Sequence, residues 1–191
     1  MRLRQLPNAI SIVRMALVIP IAWFVGAERL NGALALCAIA AFSDALDGYL
    51  AKRFGWTSEL GKILDPLADK LLLVTLFITL AIVGWIPVWL AVAAVSRDLV
   101  IAFGAMAYRN WFGPIEGRPT TVSKINTGLQ LIYVLAVIAA RAYGLPSDAA
   151  AFAVTALGAA VFVTTVVSGI DYVGRYWRKA IVVTRERRQS A

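Results

Sequence analysis

The chain contains no histidine, which removes imidazole from acid–base chemistry and from metal ligation. It has one cysteine, Cys37, set in an apolar run. An internal disulfide is thereby excluded, and Cys37 reads as a small buried hydrophobe. Charge is scarce: 16% of the 191 residues are Asp, Glu, Lys or Arg, against 60% hydrophobic. A soluble domain of this length does not need so much apolar material. Acidic residues are the scarcer kind, 11 against 19 Lys and Arg, for a net charge of +8. In so apolar a chain that excess points to a basic face on anionic lipid, and no nucleic-acid partner is expected. Low-complexity segments, internal repeats and interdomain linkers are missing too. Residues 1–191 therefore read as a single membrane domain with a basic tail from about 175 to 191.

What the chain has instead is apolar length. A membrane span takes roughly 20 apolar residues. Six stretches qualify: 8–27, 31–53, 60–83, 87–109, 122–142 and 149–174. Gly55, Gly84 with Pro87, the group Gly113, Pro114, Gly117 and Pro119, and Gly144 with Pro146 punctuate the breaks. The expected fold is an all-α integral membrane protein with six transmembrane helices. MRLRQLPN resembles a short signal n-region. The apolar stretch after it, Ala9 to about Gly26, is long enough to span, and no A-x-A-like cleavage site follows.

Lysine and arginine set the expected orientation. One side carries Arg2, Arg4, Lys52, Arg53, Lys62, Arg109, Arg118, Lys124 and the cluster from Arg175 to Arg188. The other carries only Arg29 and Arg141. Both termini are expected in the cytoplasm. Trp23, Trp56, Trp85, Trp89, Trp111 and Trp177 fall at or near span ends, where an aromatic belt belongs.

Residues 44–70, DALDGYLAKRFGWTSELGKILDPLADK, place four aspartates in this apolar setting. Asp44 and Asp47 are i, i+3; Asp65 and Asp69 are i, i+4; on helices each pair shares a face. A short turn around Gly55 to Ser58 would fold the two spans into an antiparallel hairpin and bring both pairs near its cytoplasmic end. An ionised aspartate at a helix centre costs about 2.5–3.5 kcal/mol on insertion scales. Four together need compensation, and a divalent cation supplies it. An all-oxygen set suits Mg²⁺, Mn²⁺ or Ca²⁺ rather than zinc. Two such ions roughly 3.5–4 Å apart are a device for phosphate chemistry. The alternatives are a proton or ion pathway, or scattered helix-end capping. Gly48, Ala51 and Gly61 are small and lie within a turn of the aspartates, which suits either a ligand slot or close helix packing.

The same stretch resembles the signature of the CDP-alcohol phosphatidyltransferases, D-x-x-D-G-x-x-A-R-x₈-G-x₃-D-x₃-D. Here it reads Asp44, Asp47, Gly48, Ala51, Lys52, Gly61, Asp65, Asp69, with every spacing matched. Lys52 stands where the family usually has arginine, so the positive charge is kept and the bidentate fork is lost. The resemblance covers nearly the whole chain. It implies six membrane helices, cytoplasmic termini and often a homodimer. It implies that the four aspartates ligate two divalent ions, Mg²⁺ or Mn²⁺, with Asp69 also the general base. It further implies that Gly48, Ala51, Lys52 and Gly61 form the CDP-diacylglycerol site. The reaction implied is transfer of the phosphatidyl group to an acceptor hydroxyl with release of CMP. It needs no protein nucleophile, in keeping with a motif that lacks serine, cysteine and histidine.

Other charges inside the spans bear on the acceptor. Arg14 lies in the first, Arg97 and Asp98 in the fourth, and Lys124 opens the fifth. Ionisable residues inside a membrane are functional candidates by default. Three cations beside the aspartates suit an acceptor carrying its own phosphate. Their bland readings are snorkelling for Arg14, an ion pair to a neighbouring helix for Arg97, and positive-inside placement for Lys124. Phosphatidylglycerol and glycerol 3-phosphate both fit. LDPLADK (64–70), SRDLVIAFGA (96–105) and RPTTVSKINTGLQLI (118–132) resemble most the cardiolipin-synthase branch of the family, which implies phosphatidylglycerol as acceptor. Phosphatidylglycerophosphate synthesis from glycerol 3-phosphate is the alternative. A small carrier with a carboxylate relay, or a membrane scaffold, is the reading from another class. No Arg- and Ser-rich transit segment is evident, so a bacterial inner membrane is expected, with a processed mitochondrial form left open. The basic tail reads as lying on anionic lipid or as simply solvated.

Overall fold

The computed structural model describes residues 6–54, 61–112, 120–144 and 148–189; side chains at 6–8, 44, 45, 47, 48, 50–52, 61–66, 109, 112, 176 and 179–189 lie outside that description. The described residues form six helices: α1 (Leu6–Gly26), α2 (Leu30–Phe54), α3 (Gly61–Ile82), α4 (Val88–Phe112), α5 (Thr121–Ala142) and α6 (Asp148–Gln189). Each coincides with one expected span. The departure is α6, which does not stop near 174 but continues through the basic tail to Gln189. Loss of hydropathy ends a span, not a helix, and no proline or glycine follows Gly174 to break the ladder.

Four helices hold windows long and apolar enough to cross a membrane: Ala9–Gly26 in α1, Val88–Tyr108 in α4, Thr121–Ala142 in α5 and Asp148–Arg175 in α6. In α2 the apolar part is shorter, Leu30–Ser43, because Asp44 follows. In α3, Lys62, Asp65, Asp69 and Lys70 interrupt the first half. Large apolar side chains face outward along these helices, among them Ile19, Ile82, Phe152 and Ile170. Such a surface belongs in lipid, and the protein is integral to a membrane.

The chain divides into two compact units, with boundaries at Val88/Trp89, Tyr133/Val134 and Val154/Thr155. In the first unit α1 packs against both α2 and α3. Its buried stripe is Ser11, Arg14, Val18, Ile21 and Val25, alternating steps of three and four that keep one face inward. From α2 come Ala33, Cys37 and Ala40, small residues that let helix backbones approach. Cys37 is buried, as expected. From α3 come Ala68, Leu72, Leu73, Leu76, Phe77 and Leu80. The second unit buries Leu90, Ala91 and Ala94 of α4, Tyr133 of α5 and Val161 of α6. Its remaining interior is polar: Arg97, Asp98, Asn126, Gln130, Thr165 and Ser168.

Candidate active site

The aspartate motif occupies two helices of the first unit. The backbone of α2 carries Asp44, Asp47, Gly48, Ala51 and Lys52; that of α3 carries Asp65 and Asp69 and begins at Gly61. The expected turn at 55–58 lies outside the described residues, as do the side chains of Asp44, Asp47, Ala51, Lys52 and Asp65 and the surroundings of Gly48 and Gly61. The expected convergence of four carboxylates rests on those positions.

Asp69 is described in full. It follows Ala68, which is buried, so its own side chain is turned partly outward and is 44% exposed. Arg14 Nη1 donates to Asp69 Oδ1 at 2.5 Å. The guanidinium comes from the buried face of α1 and is 1% exposed. Arg14 turns toward the carboxylate of the helix beside it. Charge-assisted contacts of this kind are short and directional, so Asp69 is oriented as well as neutralised. Further along α2, the exposed Arg53 donates to the Tyr49 hydroxyl one turn earlier, with its guanidinium 5.7 Å from the ring centre.

The donor chemistry fits a hard divalent cation. Asp69 presents a partly exposed carboxylate, Asp65 stands one turn before it on α3, and two more aspartates stand on α2. Every donor is oxygen, and histidine is absent from the chain. Among the described residues no three metal-ligating side chains gather, and Asp69 is the only one of the four aspartates whose side chain is described.

The second unit holds Arg97 and Lys124. Arg97 is 6% exposed. Its Nη1 donates to Asp98 Oδ1 at 2.7 Å and its Nη2 to Ser123 Oγ at 2.8 Å and to Ser168 Oγ. The ion pair is thus with its own neighbour on α4, while α5 and α6 supply hydroxyls. Gly169 leaves room for the Arg97 stem: a Cβ there would stand 3.8 Å from Arg97 Cγ. Nearby, Asn126 Oδ1 accepts from Thr164 Oγ1 at 2.8 Å and Thr165 Oγ1 at 2.9 Å. The Tyr172 hydroxyl donates to the Ile101 carbonyl at 2.8 Å. Lys124 is exposed. Reading single charges missed this polar seam. Its signal was present as helical spacing: Ser123, Asn126 and Gln130 on α5, and Thr165, Ser168 and Tyr172 on α6, each advance by three then four.

Comparison with known proteins identifies the chain's family. The model of the family described as CDP-alcohol phosphatidyltransferase matches residues 4–170. The match includes the whole aspartate stretch, α1 with Arg14, and α4 with Arg97. The chain belongs to the CDP-alcohol phosphatidyltransferase family. Among its relatives in that family is the cardiolipin synthase (CMP-forming) of Rattus norvegicus, 34% identical over 94% of this chain and 64% of the relative. The protein of the same name from Homo sapiens is 33% identical over 95% of this chain and 64% of its own length. The CDP-diacylglycerol–glycerol-3-phosphate 3-phosphatidyltransferase of Bacillus subtilis (strain 168) is 34% identical over 91% of this chain and 95% of its own. This CDP-alcohol phosphatidyltransferase thus spans somewhat under two thirds of the length of the cardiolipin synthases it matches.

Proposed function

We propose that this protein transfers the phosphatidyl group of CDP-diacylglycerol to an acceptor alcohol and releases CMP, with phosphatidylglycerol as acceptor and cardiolipin as product. The observation that carries the reading is the family match over residues 4–170, which takes in all four aspartates and Arg14. Asp69 accepts the proton of the acceptor hydroxyl. The freed oxygen attacks the phosphorus that bears diacylglycerol, the bond from that phosphorus to CMP breaks, and CMP leaves. Arg14, at 2.5 Å, fixes the direction of the Asp69 carboxylate. Asp44, Asp47, Asp65 and Asp69 would hold two Mg²⁺ or Mn²⁺ ions, which when bound supply charge stabilisation at the phosphoryl oxygens. Gly48, Ala51, Lys52 and Gly61 would take the CDP moiety. Arg14, Arg97 and Lys124 are assigned to the acceptor's phosphate, as three cations on the spans that suit an anionic group.

The reading includes six spans, cytoplasmic termini, an active site on the cytoplasmic face of a bacterial inner membrane, and a homodimer. The basic bias of the short connections supports the orientation. Glycerol 3-phosphate is the second reading of the acceptor. It is favoured by the Bacillus subtilis relative, of which the chain covers 95% at 34% identity.

The test uses purified full-length protein, labelled CDP-diacylglycerol and Mg²⁺, with phosphatidylglycerol or glycerol 3-phosphate in parallel. Lipid product and CMP are read together. Cardiolipin formed only with phosphatidylglycerol is expected, with turnover abolished by a chelator and restored by Mg²⁺ or Mn²⁺. Phosphatidylglycerophosphate formed only with glycerol 3-phosphate keeps the chemistry and replaces the acceptor. No CMP with either acceptor and either metal would overturn the proposal.

A further inference from the structure

We infer that the end of the first unit opposite the aspartates binds the headgroup of a zwitterionic, phosphoethanolamine-type phospholipid. The site has no residue in common with the phosphatidyl-transfer machinery and does not depend on that reading. It is an open cleft of about 410 Å³ lined by Glu28, Leu30, Asn31, Trp85, Arg141 and Ala142, with Glu28, Asn31 and Arg141 exposed at the surface. These come from the turn after α1, the start of α2, the turn after α3 and the end of α5. Asp69 lies roughly 20 Å away along α3, at 1.5 Å per residue. A water molecule occupies about 30 Å³ in the liquid, so the space suits a headgroup.

The charges are opposite and apart. Glu28 brings one negative charge and Arg141 one positive, and among the described residues no ion pair joins them. The Arg141 guanidinium is steadied over the Trp85 ring, 5.7 Å from its centre. A simple anion would meet Glu28, and a simple cation would meet Arg141. A ligand with a phosphate for Arg141 and the Asn31 amide, and an ammonium for Glu28, satisfies both. Trp85 and Leu30 give the apolar wall that the glycerol end of a lipid needs. Large apolar side chains face outward on the helices that meet here, among them Ile19 of α1, Ile39 of α2 and Ile82 of α3, and Trp23 stands exposed beside them, which favours a membrane lipid over a free solute.

Backbone geometry gives a second, independent reason. α1 ends with Arg29 N–H donating to the Phe24 carbonyl at 2.9 Å and Glu28 N–H to that of Val25 at 3.1 Å. α3 ends in the same way, Trp85 to Leu80 at 2.9 Å and Gly84 to Ala81 at 3.1 Å. This paired capping needs a left-handed residue at its centre, usually glycine. α3 has Gly84 there, φ +75°, and after α5 Gly144 adopts φ +55°, but α1 has Glu28 at φ +56°. Glutamate is a poor occupant of that conformation. Strained residues cluster at ligand clamps and other functional sites, and this carboxylate borders the cleft.

Full-length protein in mixed micelles would be offered phosphatidylethanolamine or phosphatidic acid, which lacks the ammonium, at equal concentration, and retained lipid read by native mass spectrometry. Phosphatidylethanolamine should be retained in preference, and soluble phosphoethanolamine should displace it. Glu28→Gly and Arg141→Gln should each weaken retention by about tenfold or more, the worth of one charge-assisted contact. Glu28→Gly should at the same time hold or raise the unfolding temperature, since glycine suits the cap; a fall would overturn the strain argument. Equal retention of the two lipids, or retention unchanged in both variants, would overturn the site. Binding of soluble phosphoethanolamine without the lipid would overturn the assignment to a lipid.

Discussion

Arg14 and Asp69 stand 55 residues apart in the chain and 2.5 Å apart in the fold, and their unequal exposure dictates what each substitution does. Asp69 is 44% exposed while Arg14 is 1% exposed. Arg14→Met keeps most of the apolar volume of the stem and leaves a carboxylate that still reaches its surroundings. We expect a loss of about 1–3 kcal/mol, the scale of one unmade hydrogen bond. Asp69→Asn takes a counter-charge from a guanidinium that is almost wholly enclosed, and the loss should be larger, up to about 3–5 kcal/mol. In the double variant the two effects should not add, because each removes the same contact. Thermal unfolding in detergent measures all three; strict additivity would mean the pair carries no coupling. The motif spacing made Asp69 legible as one member of a carboxylate set. Its partner was not legible, because Arg14 reads equally as a residue reaching for the interface, and only packing of α1 on α3 decides between them. Arg97 is similar: its charge marked it, but Ser123 and Ser168 come from helices whose placement no local pattern specifies.

Between elements, the α5–α6 contact in the second unit depends on one missing side chain. A Cβ on Gly158 of α6 would come within 3.2 Å of Tyr133 Cε2 and 3.3 Å of its hydroxyl oxygen. Tyr133 is 3% exposed, so its ring has little room to give way. Gly158→Ala should therefore cost about 1–3 kcal/mol as overpacking, against the helix-propensity gain of up to about 1 kcal/mol that alanine otherwise brings. Gly128→Ala, on α5 with nothing within 4 Å of the added carbon, should show only the gain. A thermal-shift comparison of the two separates packing from propensity; equal effects would show that Gly158 is not a contact glycine. At this scale the helices themselves were largely legible. Gly84 and Gly144, both at positive φ, stop α3 and α5 by backbone chemistry that is local to a few residues. The end of α6 was not, since Arg175 to Arg188 changes the solvent a helix prefers without changing its hydrogen bonds.

The whole molecule poses a question that hydropathy alone leaves open, because α1, α4, α5 and α6 carry span-length apolar windows while α2 and α3 carry the aspartates. The apolar part of α2, Leu30–Ser43, is about 21 Å long at 1.5 Å per residue, short of a hydrocarbon core of about 30 Å. Four spans and six spans are both even numbers, so the position of the termini cannot tell them apart. The segment between α2 and α3 can. If both helices cross, Ser58 lies on the opposite side from Asn31; if neither crosses, the two share a side. Charge argues for crossing: Lys52, Arg53 and Lys62 flank that segment, whereas the start of α2 has only Arg29 nearby, and lysine and arginine stay with the cytoplasm. The lone cysteine, buried at 4% exposure, can be replaced as Cys37→Ala, and Asn31→Cys or Ser58→Cys introduced singly. An impermeant maleimide should then label Asn31→Cys in intact cells and Ser58→Cys only after the membrane is opened. Labelling of both from outside would mean four spans and would put the aspartates at the outer face, away from the side where a CDP-activated substrate is expected. Labelling of Ser58→Cys alone would invert the topology. Only the first pattern sets a carboxylate site where the ends of α2 and α3 meet both the cytoplasm and the lipid, which a substrate that is half nucleotide and half diacylglycerol requires.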